Sequence, residues 1–242
     1  MTANISSQND QRHSATLIRI LRMAAVPDIT LHTFFRSSST GRLRIALGLK
    51  NLPYKSIFVN LTSGEQFTEA YKALNPSQTV PLFVHNTGSH SISIGQSLAA
   101  LEYLEEAFPT YTPLLPPSND LEGRAYVRTL ANIIVSDTQP VTSLRLLKRV
   151  ERLGADRLLW AREMTAIGLS TYEAVVKHKA GIYSYGDQIT IADACLTTLV
   201  WNAYLYGVDV QEFPTVERIF KRMSEEPAVI RAHWKNQDDC TE

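Results

Sequence analysis

A run of hydroxyl side chains at residues 37–40 is the feature of the sequence with the greatest capacity for chemistry. The run separates an apolar segment that ends at Phe35 from a segment at 42–49 with helical spacing of apolar residues. A helix that begins here directs free backbone N–H groups and the positive end of its dipole toward an anion. A thiol, whose pKa is ordinarily about 8.5, is therefore more readily ionised at this position. The alternative interpretation is an ordinary helix cap beside a solvated loop.

Two further segments indicate a site for an extended peptide that carries a negative charge. Proline inside the apolar run at Val80-Pro81 predicts an edge, a bulge or a cis peptide bond. The backbone of Val80 can then pair with a bound peptide as an added strand would. Gln96 and Ser97 begin the next amphipathic segment, where exposed amides and a hydroxyl can hold a carboxylate, or where Ser97 is a simple cap.

The hydrophobic periodicity around these residues alternates between strand and helix. The predicted elements follow the order βαβαββα, in which a polar turn at 85–89 joins two strands as a hairpin. Their approximate positions are strands at 29–34, 54–60, 79–84 and 91–94 and helices at 42–49, 67–74 and 97–106. This order predicts a thioredoxin-like α/β domain over residues 29–111.

The remainder of the chain predicts a second, all-helical domain. Pro113, Pro116 and Pro117 preclude a continuous helix, so residues 112–120 are expected to form a linker. Residues 121–242 have helical periodicity throughout, and a length of 242 residues is compatible with two domains. The helices are predicted near 120–150, 155–178, 191–206 and 214–224.

The composition narrows the classes of partner. Lys plus Arg equals Asp plus Glu at 24 each, so we expect neither a nucleic-acid nor a membrane-surface partner. No apolar run reaches the roughly 18 residues of a membrane-spanning helix. The two cysteines, Cys195 and Cys240, favour a reducing, cytoplasmic location over a disulfide scaffold. The six histidines lack metal-ligand spacing, so no metal is expected.

Residues 1–28 differ from the rest of the chain. They are polar at first and then carry Arg12, Arg19 and Arg22, with Asp10 as their acidic residue before Asp28. We interpret them as a disordered N-terminal extension. The alternative is a mitochondrial transit peptide, since such peptides contain arginine and few acidic residues.

From about residue 29 to about residue 223 the sequence resembles the glutathione transferases, and most closely their zeta class, which includes maleylacetoacetate isomerases. The similar segments are Phe-Arg-Ser-Ser-Ser-Thr-Gly-Arg-Leu-Arg-Ile-Ala-Leu (35–47), Ala-Leu-Asn-Pro (73–76), Val-Pro (80–81), Gln-Ser-Leu-Ala (96–99), Glu-Tyr-Leu-Glu-Glu (102–106), Leu-Leu-Pro (114–116) and Ala-Gly-Ile-Tyr to Ala-Asp (180–193). The resemblance implies the glutathione transferase fold, glutathione as co-substrate or coenzyme, a small electrophilic unsaturated carbonyl compound as acceptor, and a homodimer.

The resemblance also implies roles for individual residues. Ser37 or Ser38 is the catalytic hydroxyl that hydrogen-bonds the glutathione sulfur, and the choice between them stays open. The implied glutathione-binding residues are Ser37, Ser38, Ser39, Thr40, Arg42, Gln66, Val80, Gln96, Ser97 and Gln139. The implied acceptor pocket consists of Ser39, Gly41, Arg42, Gln139, Ser143 and Leu205. Thr190 and Asp193 fit the capping box of this superfamily, which is a folding feature.

Three positions depart from the zeta pattern. Ser39 replaces a cysteine, Gly41 replaces an aromatic residue, and Leu205 replaces an arginine that pairs with a substrate carboxylate in the family's isomerases. Leucine offers no bidentate hydrogen bonds to a carboxylate. We therefore expect an acceptor site without its carboxylate partner and its aromatic wall, and a substrate other than the usual dicarboxylate.

Two clusters in the helical domain each allow two interpretations. The basic strip of Arg145, Lys148, Arg149 and Arg152 is either a solvated helix face or a replacement carboxylate site. The aromatic group of Trp201, Tyr204 and Tyr206, which flanks Leu205, forms either an apolar acceptor pocket or part of the core.

The resemblance predicts addition of the glutathione thiolate to an electron-poor double bond. Rotation and elimination then give cis–trans isomerisation, whereas release of the adduct gives a conjugate. The alternative function is a non-catalytic interaction or dimerisation module. A glutaredoxin-like oxidoreductase is disfavoured, because Ser39 stands where it would need a cysteine.

Overall fold

The computed structural model describes residues 27–241, which form an α/β domain followed by a helical domain. The predicted extension, 1–28, lies outside the described residues except for its last two positions. Asp28 already belongs to the first strand, so the α/β domain begins one residue earlier than predicted.

A mixed four-stranded sheet forms the centre of the first domain, in the order β2-β1-β3-β4. Strand β1 pairs in parallel with β2 and antiparallel with β3, and β3 pairs antiparallel with β4. The strands are β1 (Asp28–Thr33), β2 (Lys55–Phe58), β3 (Leu82–Asn86) and β4 (Ser91–Ile94). Strand β3 begins at Leu82 and not at residue 79, because Pro81 has no N–H to donate to the sheet and the Val80–Pro81 bond is cis.

Three helices complete this domain and give the predicted order βαβαββα. They are α1 (Ser38–Leu49), α2 (Glu69–Leu74) and α3 (Ser97–Ala107). Helix α1 is buried over eight consecutive residues, 40–47, so it lies inside the molecule and not on its surface. The prediction of a thioredoxin-like domain joined to an all-helical domain is confirmed.

The second domain contains six helices among the described residues. They are α4 (Leu121–Asn132), α5 (Leu144–Arg152), α6 (Arg157–Val176), α7 (Ile191–Leu205), α8 (Pro214–Ser224) and α9 (Pro227–Ala232). The predicted helices at 155–178, 191–206 and 214–224 correspond to α6, α7 and α8. The short helix α9 was not predicted.

The single helix predicted near 120–150 is wrong. Helix α4 widens into a π-helical segment, Ile133–Thr138, and Pro140 then removes a backbone donor. Helix α5 starts anew after Ser143, whose hydroxyl accepts the Leu146 N–H at 3.4 Å. Thr138 packs closely on α6, since a Cβ at Gly168 would lie 2.2 Å from Thr138 Oγ1.

The two domains share one apolar core, which runs from the sheet through α1 to α7. The connection between the domains, 112–120, contains neither helix nor strand and is fastened by a buried ion pair. Lys50 Nζ lies 2.6 Å from Glu105 Oε1 and donates to Thr112 O at 2.9 Å. Glu105 Oε2 accepts the Leu114 N–H at 3.0 Å. None of the described helices is long and apolar enough to cross a membrane.

The predicted capping box of Thr190 and Asp193 lies at the N-terminus of α7, inside this core. Asp193 is fully buried, and its Oδ2 accepts the N–H of Thr190 at 2.7 Å and the hydroxyl of Thr190 at 2.9 Å. Its Oδ1 accepts the Ser184 N–H at 2.8 Å. Burial raises the pKa of Asp193, and these hydrogen bonds act in the opposite direction.

Replacement of Asp193 by alanine should lower the free energy of unfolding by about 3–5 kcal/mol, because it leaves buried donors without an acceptor. Chemical denaturation measures the loss. Asp156→Ala is the matched control, since Asp156 caps α6 at the surface and should cost only about 1 kcal/mol. Equal losses in the two variants would contradict a special role for Asp193.

Candidate active site

Ser37 caps the N-terminus of α1 with its hydroxyl. Ser37 Oγ accepts the N–H of Thr40 at 3.2 Å and the hydroxyl of Thr40 at 3.0 Å, while its own N–H donates to Phe34 O at 2.9 Å. Two accepted hydrogen bonds use both lone pairs of the oxygen. No described residue accepts the proton of Ser37, so this half-buried hydroxyl can donate to a ligand.

A small cleft with a volume of about 10 Å³ lies beside Ser37, at the boundary between the two domains. Its walls come from the loop before α1, from α1 itself, from α7 and from the segment after α9. The residues that line it are Phe35, Arg36, Ser37, Ser38, Arg44, Thr198, Trp201, Asn202, Leu205 and Trp234. The four residues from α7 recur at three- and four-residue spacing and therefore occupy one face of that helix.

Of the predicted site residues, Ser37, Ser38 and Leu205 line the cleft together. Leu205 is 40% exposed, so its side chain is accessible in the cleft. The other predicted site residues do not line it, and their contacts with glutathione or an acceptor stay predictions. They are Ser39, Thr40, Gly41, Arg42, Gln66, Val80, Gln96, Ser97, Gln139 and Ser143.

Arg42 was predicted to contact both substrates, and those contacts stay predictions; its side chain lies in the interior of the protein. The side chain is 0% exposed, because it points from the inner face of α1 into the core. Its Nη1 donates to Ser97 Oγ at 3.3 Å, whereas Nε and Nη2 have no hydrogen-bond partner among the described residues. Arg42 and Ser97 thus form a buried, positively charged pair beneath the N-terminus of α3.

Burial shifts the ionisation of the groups around Arg42. Burial lowers the pKa of Arg42 itself, although guanidinium groups remain charged at neutral pH. Burial raises the pKa of the Cys195 thiol to about 11, and the nearby charge of Arg42 acts in the opposite direction. Cys195 is therefore a neutral core residue and not a nucleophile.

The backbone ahead of Val80 is fixed by two side chains on one carbonyl oxygen. Thr79 O accepts the hydroxyl of Tyr71 at 2.7 Å and the amide of Asn75 at 2.8 Å. Val80 itself is 7% exposed and Gln66 is 6% exposed. Gln96 is exposed at the N-cap of α3.

Gln139 and Ser143 lie at the junction of the π-helical segment with α5. Gln139 is half-buried, and its N–H donates to Ile134 O at 2.8 Å. Ser143 donates its hydroxyl to Pro140 O at 2.8 Å in addition to capping α5. The Gln139 backbone and the Ser143 hydroxyl thus take part in the helix junction.

Gly41 is buried against α7, and its predicted place in the acceptor pocket stays a prediction. A Cβ at this position would lie 3.0 Å from Thr198 Cγ2 and 3.4 Å from Trp201 Cζ3. Trp201 is 6% exposed, lines the cleft and packs edge-to-face on His233 with 4.9 Å between ring centroids. An aromatic residue of α7 therefore lies next to Gly41 and borders the cleft, and the expected loss of an aromatic wall on α1 stays a prediction.

The basic strip on α5 does not line the cleft. Arg149 and Arg152 are exposed, and Arg145 donates from Nη2 to Ser77 O at 2.8 Å. This arrangement favours the interpretation of a solvated helix face. Arg145 additionally links α5 to the loop that precedes Val80.

Arg44 is a cleft residue that the sequence did not single out. Its Nη2 donates to Phe35 O at 3.1 Å, its Nη1 to Thr33 Oγ1 at 3.0 Å and its Nε to Ala232 O at 3.2 Å. Burial lowers the pKa of Arg44 to about 10, so it remains charged at neutral pH. The sequence feature that could have identified Arg44 was its position two residues after Arg42, in the segment 35–47.

Thr198, Asn202 and Trp234 were also missed. Thr198 and Asn202 share a helix face with Leu205, and that spacing was the signal that could have identified them. Trp234 had no signal, because it follows the segment that resembles known sequences.

The fold and the serine-capped helix define an enzyme class that binds a thiol peptide in a thioredoxin-like domain. Residues 36–107 match the N-terminal domain of glutathione S-transferases, and residues 157–236 match their C-terminal domain. The chain is 51% identical to maleylacetoacetate isomerase maiA of Aspergillus fumigatus, over 89% of this chain and 94% of that protein.

Solved structures agree with these matches. Maleylacetoacetate isomerase from Anaeromyxobacter dehalogenans with bound GSH in the active site has a TM-score of 0.80 and 37% identity, covering 88% of this chain and 98% of that one. A maleyl pyruvate isomerase described as a bacterial zeta-class glutathione S-transferase has a TM-score of 0.81 and 38% identity, covering 88% and 100%. The chain belongs to the glutathione S-transferase family, and its resemblance to the zeta class is confirmed.

Gly41 and Trp201 should be energetically coupled, because a large side chain at residue 41 would need space next to the Trp201 ring. Gly41→Trp should cost about 1–3 kcal/mol through overpacking, and Trp201→Ala about 3–5 kcal/mol through the cavity it leaves. The double variant should lose at least about 1 kcal/mol less than the sum. Denaturation of the four proteins measures the coupling.

Gly48→Ala combined with Trp201→Ala is the control, since a Cβ at Gly48 meets Ala228 at 3.1 Å and not Trp201. Its effect should add to that of Trp201→Ala. Strict additivity for the Gly41 pair as well would mean that the two residues do not share space.

Proposed function

We propose that the protein is a glutathione-dependent enzyme that adds the glutathione thiolate to the electrophilic double bond of a small unsaturated carbonyl compound. The observation that carries the proposal is the Ser37 hydroxyl, which accepts two hydrogen bonds and keeps its proton for a ligand at a helix N-terminus. GSH in the active site of the A. dehalogenans relative supports the same placement. The outcome is cis–trans isomerisation or release of a conjugate.

Ser37 acts on the sulfur by donating its hydroxyl proton as a hydrogen bond. The positive end of the α1 dipole favours the same charge, so the thiol ionises more readily and its proton leaves to solvent. The thiolate then forms a C–S bond at the β-carbon, and the electron pair of the double bond moves toward the carbonyl oxygen. Rotation about the new single bond and loss of the thiolate return glutathione and give the isomer.

The glutathione chain extends from Ser37 across the edge of the α/β domain. We assign the backbone of Val80 to the cysteinyl residue, Gln66 to the glycyl end, and Gln96 with Ser97 to the γ-glutamyl group. The buried guanidinium of Arg42 behind Ser97 supports an anion there, because it adds positive charge to the N-terminus of α3. A non-catalytic module has no need of this arrangement.

For the acceptor we propose a compound that is less acidic than the dicarboxylates of the family. Leu205 stands in the cleft where an arginine would pair with a carboxylate, and Phe35, Trp201 and Trp234 add aromatic surface. The Arg44 guanidinium is committed to the protein, because all three of its nitrogens donate to protein oxygens. A relative from A. dehalogenans with bound dicarboxyethyl glutathione and citrate is the contrasting case.

The assembly and location are part of the same proposal. We propose a homodimer, supported by exposed apolar side chains on the α/β domain, Phe67 and Leu74 at 58% and 57%. We propose a cytoplasmic location, supported by two free cysteines. The mitochondrial alternative depends on residues 1–26, which lie outside the described residues.

Ser37→Ala should lower kcat by about ten- to a thousandfold and change the glutathione Kd by much less, because the hydroxyl matters most when charge is on the sulfur. Steady-state kinetics and calorimetry with glutathione measure the two effects. Ser38→Ala is the comparison in the same cleft. A larger effect at Ser38 would exchange their roles, and two silent variants would refute the mechanism.

Leu205→Arg should raise the kcat/KM ratio of a dicarboxylate over an uncharged enone by about ten- to a hundredfold, since it restores a charged hydrogen bond. Maleylacetoacetate and a simple enone are the two substrates. Tyr204→Arg is the control, because Tyr204 is 55% exposed on the same helix but does not line the cleft. Efficient dicarboxylate turnover by the parent, abolished by Arg36→Ala or Arg145→Ala, would contradict the proposed specificity.

A further inference from the structure

The segment that follows α9, residues 233–241, crosses the loop that leads to Ser37. Asp239 Oδ2 accepts the Phe35 N–H at 2.9 Å, across 204 positions of sequence. The Trp234 ring lies 6.4 Å from the Phe35 ring, and the guanidinium of Arg36 lies 5.7 Å from the centre of the Trp234 ring. We call residues 233–241 the strap.

The Phe35 residue is thus held at both of its backbone polar groups. Asp239 accepts its N–H, and Arg44 Nη2 donates to its carbonyl oxygen at 3.1 Å. Arg44 Nε also donates to Ala232 O, directly before the strap. One buried cation therefore connects the loop before Ser37 with the start of the strap.

The position of Ser37 follows from this clamp. The Ser37 N–H donates to Phe34 O at 2.9 Å, and Arg44 Nη1 approaches the same oxygen at 3.4 Å. The chain has only Arg36 between the clamped Phe35 and Ser37. A displacement of Phe35 therefore changes the direction of the Ser37 hydroxyl.

Holding the Phe35 N–H with the Asp239 carboxylate costs free energy, because the second carboxylate oxygen is removed from water. Its Oδ1 is buried and has no hydrogen-bond partner within residues 27–241. Burial raises the pKa of Asp239, and the charge of Arg44 and the Phe35 N–H act in the opposite direction. A half-buried carboxylate whose inner oxygen lies out of reach of water and of any described donor is a poor choice for stability alone.

We propose that Asp239 is a positioning residue for the reaction, which holds the Phe35 peptide so that the Ser37 hydroxyl points at the glutathione sulfur. The inference rests on the role proposed for Ser37. Asp239 itself does not touch the reacting atoms.

The test compares Asp239→Ala in two backgrounds, the parent and Ser37→Ala. In the parent, kcat should fall about tenfold, since a hydrogen bond to a charged group is lost, while KM for glutathione stays within about twofold. In the Ser37→Ala background the same substitution should have no effect on kcat, because Asp239 acts through Ser37. An equal loss in both backgrounds would overturn the proposal.

A spectroscopic readout separates positioning from loss of structure. The pKa of the bound glutathione thiol, measured from thiolate absorbance in the ultraviolet, should rise by about one in Asp239→Ala. Asp239→Asn keeps an oxygen acceptor for the Phe35 N–H and should recover part of both effects. It also serves as the test if the alanine variant does not fold.

Asp238→Ala is the matched control, since Asp238 is the exposed neighbouring carboxylate. It should behave as the parent in every measurement. An unchanged thiol pKa in both Asp239 variants would overturn the proposal even if kcat fell. A parent that shows no glutathione binding or turnover would instead refute the proposed function, so the two failures are distinguishable.

Discussion

The burial of helix α1 is the constraint on which the rest of the structure depends. Its residues 40–47 are all buried between the sheet, α3 and α7, so the helix can neither tilt nor slide without opening both domains. Its N-terminus consequently stays fixed at the domain boundary, where Ser37 caps it. The same helix therefore joins the domains and places the hydroxyl that we assign to the sulfur. Core packing thus sets the position of that hydroxyl, and we assign its orientation to the contacts of the Phe35 peptide.

Three cationic side chains, two on this buried helix and one directly after it, point in different directions, and each one holds another element. Arg42 reaches Ser97 at the start of α3, Arg44 reaches the carbonyl oxygens before Ser37, and Lys50 reaches Glu105 and the interdomain connection. Buried charges are costly unless they are paired. Lys50 is paired with a carboxylate and Arg44 with several oxygens, whereas Arg42 has one hydroxyl. The least satisfied cation thus lies where a ligand carboxylate is proposed to bind, and this arrangement is the physical argument for that assignment.

The sequence predicted what local patterns determine. Alternation and turn residues determined the order βαβαββα, and the hydroxyl run located the cap of α1. The break between α4 and α5 was missed, because helical periodicity continues through Ile133 and Ile134 while Thr138 and Pro140 change the backbone. The burial of Arg42 could not be predicted, since a charged residue one turn into a helix ordinarily faces solvent. The role of Asp239 could not be predicted for another reason: its partner, Phe35, is 204 positions away in the sequence, and no local pattern connects the two residues.

Two of the departures from the zeta pattern, Gly41 and Leu205, both involve helix α7. Gly41 on α1 faces α7, because a Cβ at Gly41 would lie 3.0 Å from Thr198 Cγ2 and 3.4 Å from Trp201 Cζ3. Trp201 also lines the cleft, so an aromatic residue of the helical domain borders it. Leu205 lies one turn further along the same face of α7. Helix α7 therefore supplies both the aromatic surface and the residue that replaces the arginine. In the function that we propose, Ser37 at the start of α1 serves the sulfur and this face of α7 borders the acceptor, so the two roles belong to separate helices. Under that proposal, a substitution on α7 alters the preferred acceptor and leaves the cap of α1 in place.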